Sequence, residues 1–159
     1  MIASLRAARI RWREIDVLLL VQVFLFAAAV PALLRLQIAR LQWLLGRVPM
    51  GGRPDPARVQ AILRCMAIVL QRGQPLIRRG CLTRGLTLYY FFRRAGLDVD
   101  LCFGAGYLGA EFAAHCWLER GGEPFQEAVD PRKTFAEMYR FPSGPPGSAG
   151  AAQMAGLRR

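Results

Sequence analysis

A chain of 159 residues can bury one ordinary hydrophobic core, which predicts a single domain with appendages and excludes two independent domains. Its composition, 53% hydrophobic and 21% charged, excludes a disordered polymer. Lys plus Arg number 22 against 11 Asp plus Glu, a formal charge of +11 carried almost wholly by arginine, since Lys133 is the only lysine. That balance points to an acidic or membrane partner rather than to nucleic acid, because no strand interleaves aromatic with basic residues and no basic recognition helix is legible.

The four cysteines, Cys65, Cys81, Cys102 and Cys116, form no Cys-x-x-Cys pair, and His115 is the only histidine. This argues against zinc, and the spacing matches no secreted disulfide framework, so free thiols in a reducing cytoplasm are expected. The chain also lacks a Gly-x-x-x-x-Gly-Lys phosphate cradle, and no cofactor is expected.

The first element falls within residues 10–45, where residues 17–34 are apolar except for Gln22 and Pro31. Three readings fit: a transmembrane helix, a signal segment, or two buried or membrane-surface helices joined at Pro31. Arginines on both sides (Arg9, Arg11, Arg13, then Arg35 and Arg40) leave a spanning orientation unsignalled. Beyond Pro31 the pattern is amphipathic, with Leu34, Ile38, Leu41 and Leu45 on one face and Gly46 as the stop.

After a Pro- and Gly-rich linker at residues 49–54, Asp55 as N-cap and Pro56 as first helical residue predict a helix that ends at Gly73. Val59, Ile62, Leu63, Met66, Val69 and Leu70 give it a buried stripe, with Cys65 a packed thiol beside it. A second helix starts at Cys81, after Gly80, aligns Leu82, Leu86 and Tyr89, and stops at Gly96. The period then changes to two: Val99, Leu101 and Phe103 predict a strand ending at residues 104–106. Residues 112–120 and 123–130 flank Gly121-Gly122 as an antiparallel hairpin, and residues 141–159 lack periodicity and read as a disordered tail.

A cysteine in the first turn of a helix meets unpaired backbone N–H groups and the positive end of the helix dipole, both of which favour thiolate. Only Cys81 occupies such a place, and Arg78, Arg79 and Arg84 would reinforce the effect if they pointed at the sulfur. Judged alone, Cys81 also reads as a small buried residue and His115 as a structural imidazole in an apolar strand. Together they supply a nucleophile and a base, and the hairpin supplies a third group. With a two-residue turn, His115 would pair with Ala128, which puts Asp130 on its face; a one-residue bulge would exchange Asp130 for Glu127. Asp130 also reads as a turn residue before Pro131.

A helix-borne cysteine, a strand histidine and an aspartate on the next strand follow the order of transglutaminase-like and papain-like enzymes. The segments Arg79-Gly80-Cys81-Leu82-Thr83-Arg84, Arg94-Ala95-Gly96-Leu97, the strand end at Gly104 and Ala114-His115-Cys116-Trp117-Leu118-Glu119 resemble the lasso-peptide maturation proteases. These are leader peptidases related to the C-terminal domain of the microcin-processing protein McjB, and the resemblance covers residues 55–130. Many relatives carry alanine where this chain has Cys116.

The resemblance implies a transglutaminase-like or papain-like core for the domain at residues 55–140, and together with the pattern readings above the expectation is an α+β fold with N-terminal apolar helices (residues 1–48) packed against that antiparallel sheet domain and a disordered tail (residues 141–159). It implies a cytoplasmic cysteine peptidase, with membrane association through the N-terminal segment left open, that removes the leader from a ribosomally made lasso-peptide precursor. Cys81 is then the nucleophile, His115 the base and Asp130 the orienter, with no metal. The implied partners are the precursor leader, a separate PqqD-like leader-binding protein and an asparagine-synthetase-like cyclase. A hydrolase or amidase of another peptide, and a membrane-associated adaptor without catalysis, are the competing readings.

Overall fold

The computed structural model describes residues 16–143. Its first helix, α1 (Val17–Leu33), begins where the Asp16 carboxylate accepts the Leu19 amide at 3.0 Å, and Arg58 holds the same carboxylate at 2.8 Å. Leu19, Val23, Ala27 and Val30, spaced by four and three, are buried against α3 (Pro56–Arg72) and α4 (Cys81–Arg94). The Phe26 ring stacks on Tyr90 with centroids 4.4 Å apart. Pro31 lies inside α1 rather than between two helices, and α1 packs on the α3 and α4 helices of the 55–140 domain. No helix among the described residues is long and apolar enough to cross a membrane.

The next helix, α2 (Ile38–Gly46), ends at its glycine as expected but buries only Leu41 and Leu45; Leu34 and Ile38 are exposed. Helix α3 follows its sequence signals closely. Asp55 accepts the Ala57 amide at 2.9 Å, Pro56 opens the helix, Gly73 caps it, and Val59, Ile62, Met66 and Val69 face the core. Cys65 is buried, as expected of a packed thiol. Helix α4 starts at Cys81 on an extended Gly80 and buries Leu86, Tyr89 and Phe92.

The sheet is antiparallel throughout, with β1 (Asp100–Leu108), β2 (Glu111–Arg120), β3 (Glu123–Phe125) and β4 (Phe135–Phe141) in the order β3-β2-β1-β4. Alternation sends Leu101, Cys116, Leu118 and Phe141 into the core shared with the helices. The α+β class expected from sequence is the one observed, helices packed on a four-stranded antiparallel sheet.

Three boundaries differ from the sequence reading. Strand β1 runs through Gly104 and Gly106 instead of ending there, because β4 crosses so close that a Cβ on Gly106 would lie 2.1 Å from the Thr134 carbonyl oxygen. The hairpin's second arm stops at Phe125. Strand β4 has no counterpart in the sequence pattern, and Phe141, the first residue of the expected tail, is fully buried; residues 144–159 of that tail lie outside the described residues, as do residues 1–15.

Arg93 of α4 joins distant parts of the chain. The residue is 2% exposed, and its guanidinium donates to the carbonyls of Ser143, Pro142 and Gly46. The Tyr89 hydroxyl donates to the same Pro142 carbonyl at 2.8 Å.

Candidate active site

Cys81 is the first residue of α4, and the first helical hydrogen bond runs from the Arg84 amide to the Gly80 carbonyl at 3.1 Å. The three amides before it have no helical acceptor, and no side chain caps them. Strand β2 comes up against this turn because α4 has glycine at residue 85, one turn after the cysteine. A Cβ there would sit 2.9 Å from Cys116 Sγ and 3.0 Å from Leu101 Cδ1.

His115 and Cys116 are neighbours on β2 and point to opposite faces, yet both bond to Cys81. Side chains that diverge in this way can flank one sulfur only at the strand's open edge. That edge exists because β3 pairs only with Leu118, Glu119 and Arg120 and has ended before the histidine. The imidazole is held between the Phe135 ring, 5.2 Å away, and the Trp117 ring, 6.3 Å away.

The acid beside His115 is Glu127. After β3 the backbone turns at Gln126, a non-glycine residue with φ +62, and Glu127 comes over the histidine with Oε2 3.8 Å from Nε2. Its other oxygen takes a 2.6 Å hydrogen bond from Arg84 Nη1, and Arg84 Nη2 donates to the Gln126 carbonyl. Arg84 thus grips both the turn and the carboxylate.

Asp130 is not brought to His115. It caps the 3₁₀ turn at Pro131–Lys133, accepting from the Arg132 amide and Nε at 3.0 Å and from Arg132 Nη2 at 2.9 Å. The expected pairing of His115 with Ala128 fails because the regular ladder ends at Phe125. The left-handed residue that follows substitutes Glu127 in the way a bulge would.

The electrostatics match this geometry. Donation from the Cys116 thiol, then from His115, pulls the Cys81 thiol down to about 4 despite partial burial. Bonds to Cys81 and then Glu127 raise His115 to about 9. Burial pushes the Glu127 carboxyl up, but His115 and Arg84 outweigh it and hold the group below its ordinary value. Cys116, bonded to Cys81 and buried, is pushed far up and stays a thiol. Between about 4 and about 9 the pair is therefore thiolate and imidazolium.

Arginine contributes differently from the sequence reading. Arg84 points at Glu127, and Arg79 donates to the Leu70 and Gln71 carbonyls at 2.7 and 2.8 Å, so neither aims at the sulfur. Cys81 opens into a cleft of about 630 Å³ walled by α3, Arg79, Arg84, His115 and residues 126–128.

The described residues contain one cluster with metal-ligand spacing, Cys102, Glu119 and Glu137, on the sheet face that also carries His115 and Trp117. Arg140 donates to Glu119 Oε2 at 2.8 Å and to Glu137 Oε2 at 2.5 Å, so a cation already neutralises it. Burial keeps Cys102 protonated.

The family model described as transglutaminase-like superfamily matches residues 26–140. The chain belongs to the transglutaminase-like superfamily. Members are often cysteine hydrolases, and the match reaches from the middle of α1 to the end of β4, taking in Cys81, His115 and Glu127. No curated protein and no solved structure gives a significant match.

Proposed function

We propose that this transglutaminase-like protein is a cysteine peptidase that removes the leader from a ribosomally made lasso-peptide precursor. The observation that carries the hydrolase reading is the Cys81–His115–Glu127 arrangement at the head of an open cleft. The leader-peptidase reading adds the sequence resemblance around Cys81 and His115.

In the proposed reaction the Cys81 thiolate attacks the scissile carbonyl carbon. The oxygen that becomes negative is met by the unpaired amides at the start of α4. As the C–N bond breaks, the His115 imidazolium gives its proton to the leaving amine. His115, now neutral, takes a proton from water as that water attacks the thioester, which releases the acid and restores the ion pair. Glu127 orients the imidazole and stabilises its charged form, the role expected of Asp130 from sequence. No metal or cofactor enters these steps.

The partners proposed are the precursor leader, a separate PqqD-like protein to present it and an asparagine-synthetase-like cyclase to receive the core peptide, in the cytoplasm. The test combines purified protein, candidate precursor and leader-binding protein, with cleavage followed by mass spectrometry. Cleavage is expected with the wild type and lost with Cys81→Ala. Equal cleavage by the variant would dismiss the proposal.

A further inference from the structure

Helix α3 carries apolar side chains beyond its fully buried stripe, at the border between the core and the cleft, where Leu63 and Leu70 touch both. Its core side is occupied by Val59, Ile62, Met66 and Val69, yet Leu63, Ala67 and Leu70, spaced by four and three, form a second stripe lining the cleft beside Cys81. Ala67 is exposed, and Leu63 and Leu70 are half-buried. Ala67, exposed between them, leaves this wall of the cleft apolar where a solvated helix face such as that of Arg58 is polar. The opposite wall, Arg84, His115, Gln126 and Glu127, is polar.

The stripe is also held at a fixed distance from the nucleophile. Arg79, two residues before Cys81, donates to the Leu70 and Gln71 carbonyls, which are among the last of α3 and lack helical donors. One guanidinium thereby ties the end of α3 to the start of α4, so the apolar wall and the sulfur do not move independently.

Resting on the peptidase reading above, we infer that Leu63, Ala67 and Leu70 form a side-chain subsite for an apolar residue of the peptide next to the scissile bond, with Ala67 setting its depth. The peptide backbone then runs between this wall and the polar one, and its apolar side chain leaves water against α3. Larger apolar side chains gain more until they meet Ala67.

The test needs no cleavage assay. Cys65, Cys102 and Cys116 are buried, so small iodoacetamides read Cys81, with Cys81→Ala as the blank. The rate with N-benzyl iodoacetamide is divided by the rate with iodoacetamide, and both are normalised to a free thiol. Burial of part of a phenyl ring predicts a ratio of about ten for the wild type. In Ala67→Glu the ratio should fall toward one; any effect of the new carboxylate on thiol reactivity cancels between the probes. A wild-type ratio of one, or a ratio unchanged in Ala67→Glu, overturns the subsite. If Ala67→Glu does not fold, the wild-type ratio together with Ala67→Ser, expected to lower it only slightly, decides. A high ratio in a protein that cleaves no precursor would leave the subsite standing and reject the leader-peptidase reading instead.

Discussion

Replacing Glu127 by Gln keeps the shape of the side chain and removes the charge 3.8 Å from His115 Nε2. Two unit charges about 4 Å apart interact by about 1 kcal/mol in water and about 4 kcal/mol near a protein surface. With the His115 side chain 29% exposed and that of Glu127 13%, about 2 kcal/mol is a fair intermediate, or ~1.5 pH units. The imidazole of the wild type titrates at about 9, raised above 6.5 in part by this carboxylate, so the substitution must lower it. Glu127→Gln is expected to titrate near ~7.5. The assay is direct, because the chain has one histidine and its Cε1 proton gives one NMR signal to follow against pH. Asp130→Asn, whose carboxylate is engaged by Arg132, should leave the signal where it is. If Asp130→Asn moved the titration and Glu127→Gln did not, Asp130 and not Glu127 would be the acid that orients His115.

Alkylation of Cys81 by iodoacetamide should be nearly flat from about pH 5 to pH 8, because the thiolate persists down to about 4; a tenfold rise per pH unit across that range would show an ordinary thiol. Arg84→Ala should lower the His115 titration by acting through Glu127, so the double variant with Glu127→Gln should titrate where Glu127→Gln does; additive shifts would mean that Arg84 acts on its own. Phe141→Ala removes a fully buried ring at the end of β4 and should cost about 3–5 kcal/mol in denaturant unfolding. A loss below 1 kcal/mol would return Phe141 to the tail.

Local chemistry was legible wherever one signal determined one feature. Asp55-Pro56 opened α3, Gly73 closed it, and Gly80-Cys81 placed the sulfur at a helix start. The sheet was harder to read because its geometry depends on neighbours. Gly104 and Gly106 read as a strand end, although they are there to let β4 pass; β4 itself alternates only weakly, with Tyr139 and Phe141 inward, a register shift opposite Phe103 and Gly104, and Phe135 beyond that shift on the other face, against His115. The third member of the site turned on one backbone angle, at Gln126, whose side chain does not announce it. Nor did spacing reveal that Cys116 would bond to Cys81, since alternation alone sends His115 and Cys116 apart.

The buried guanidinium of Arg93 makes the molecule hard to divide. Its acceptors come from the end of α2 and from the residues just after β4, so two stretches nearly a hundred positions apart in sequence close around one positive charge. A fragment missing either stretch would strand that cation in an apolar interior, at a cost of several kcal/mol. The helices that precede the linker thus belong to the same cooperative unit as α4, and recombined halves would have to meet at this side chain before either became native.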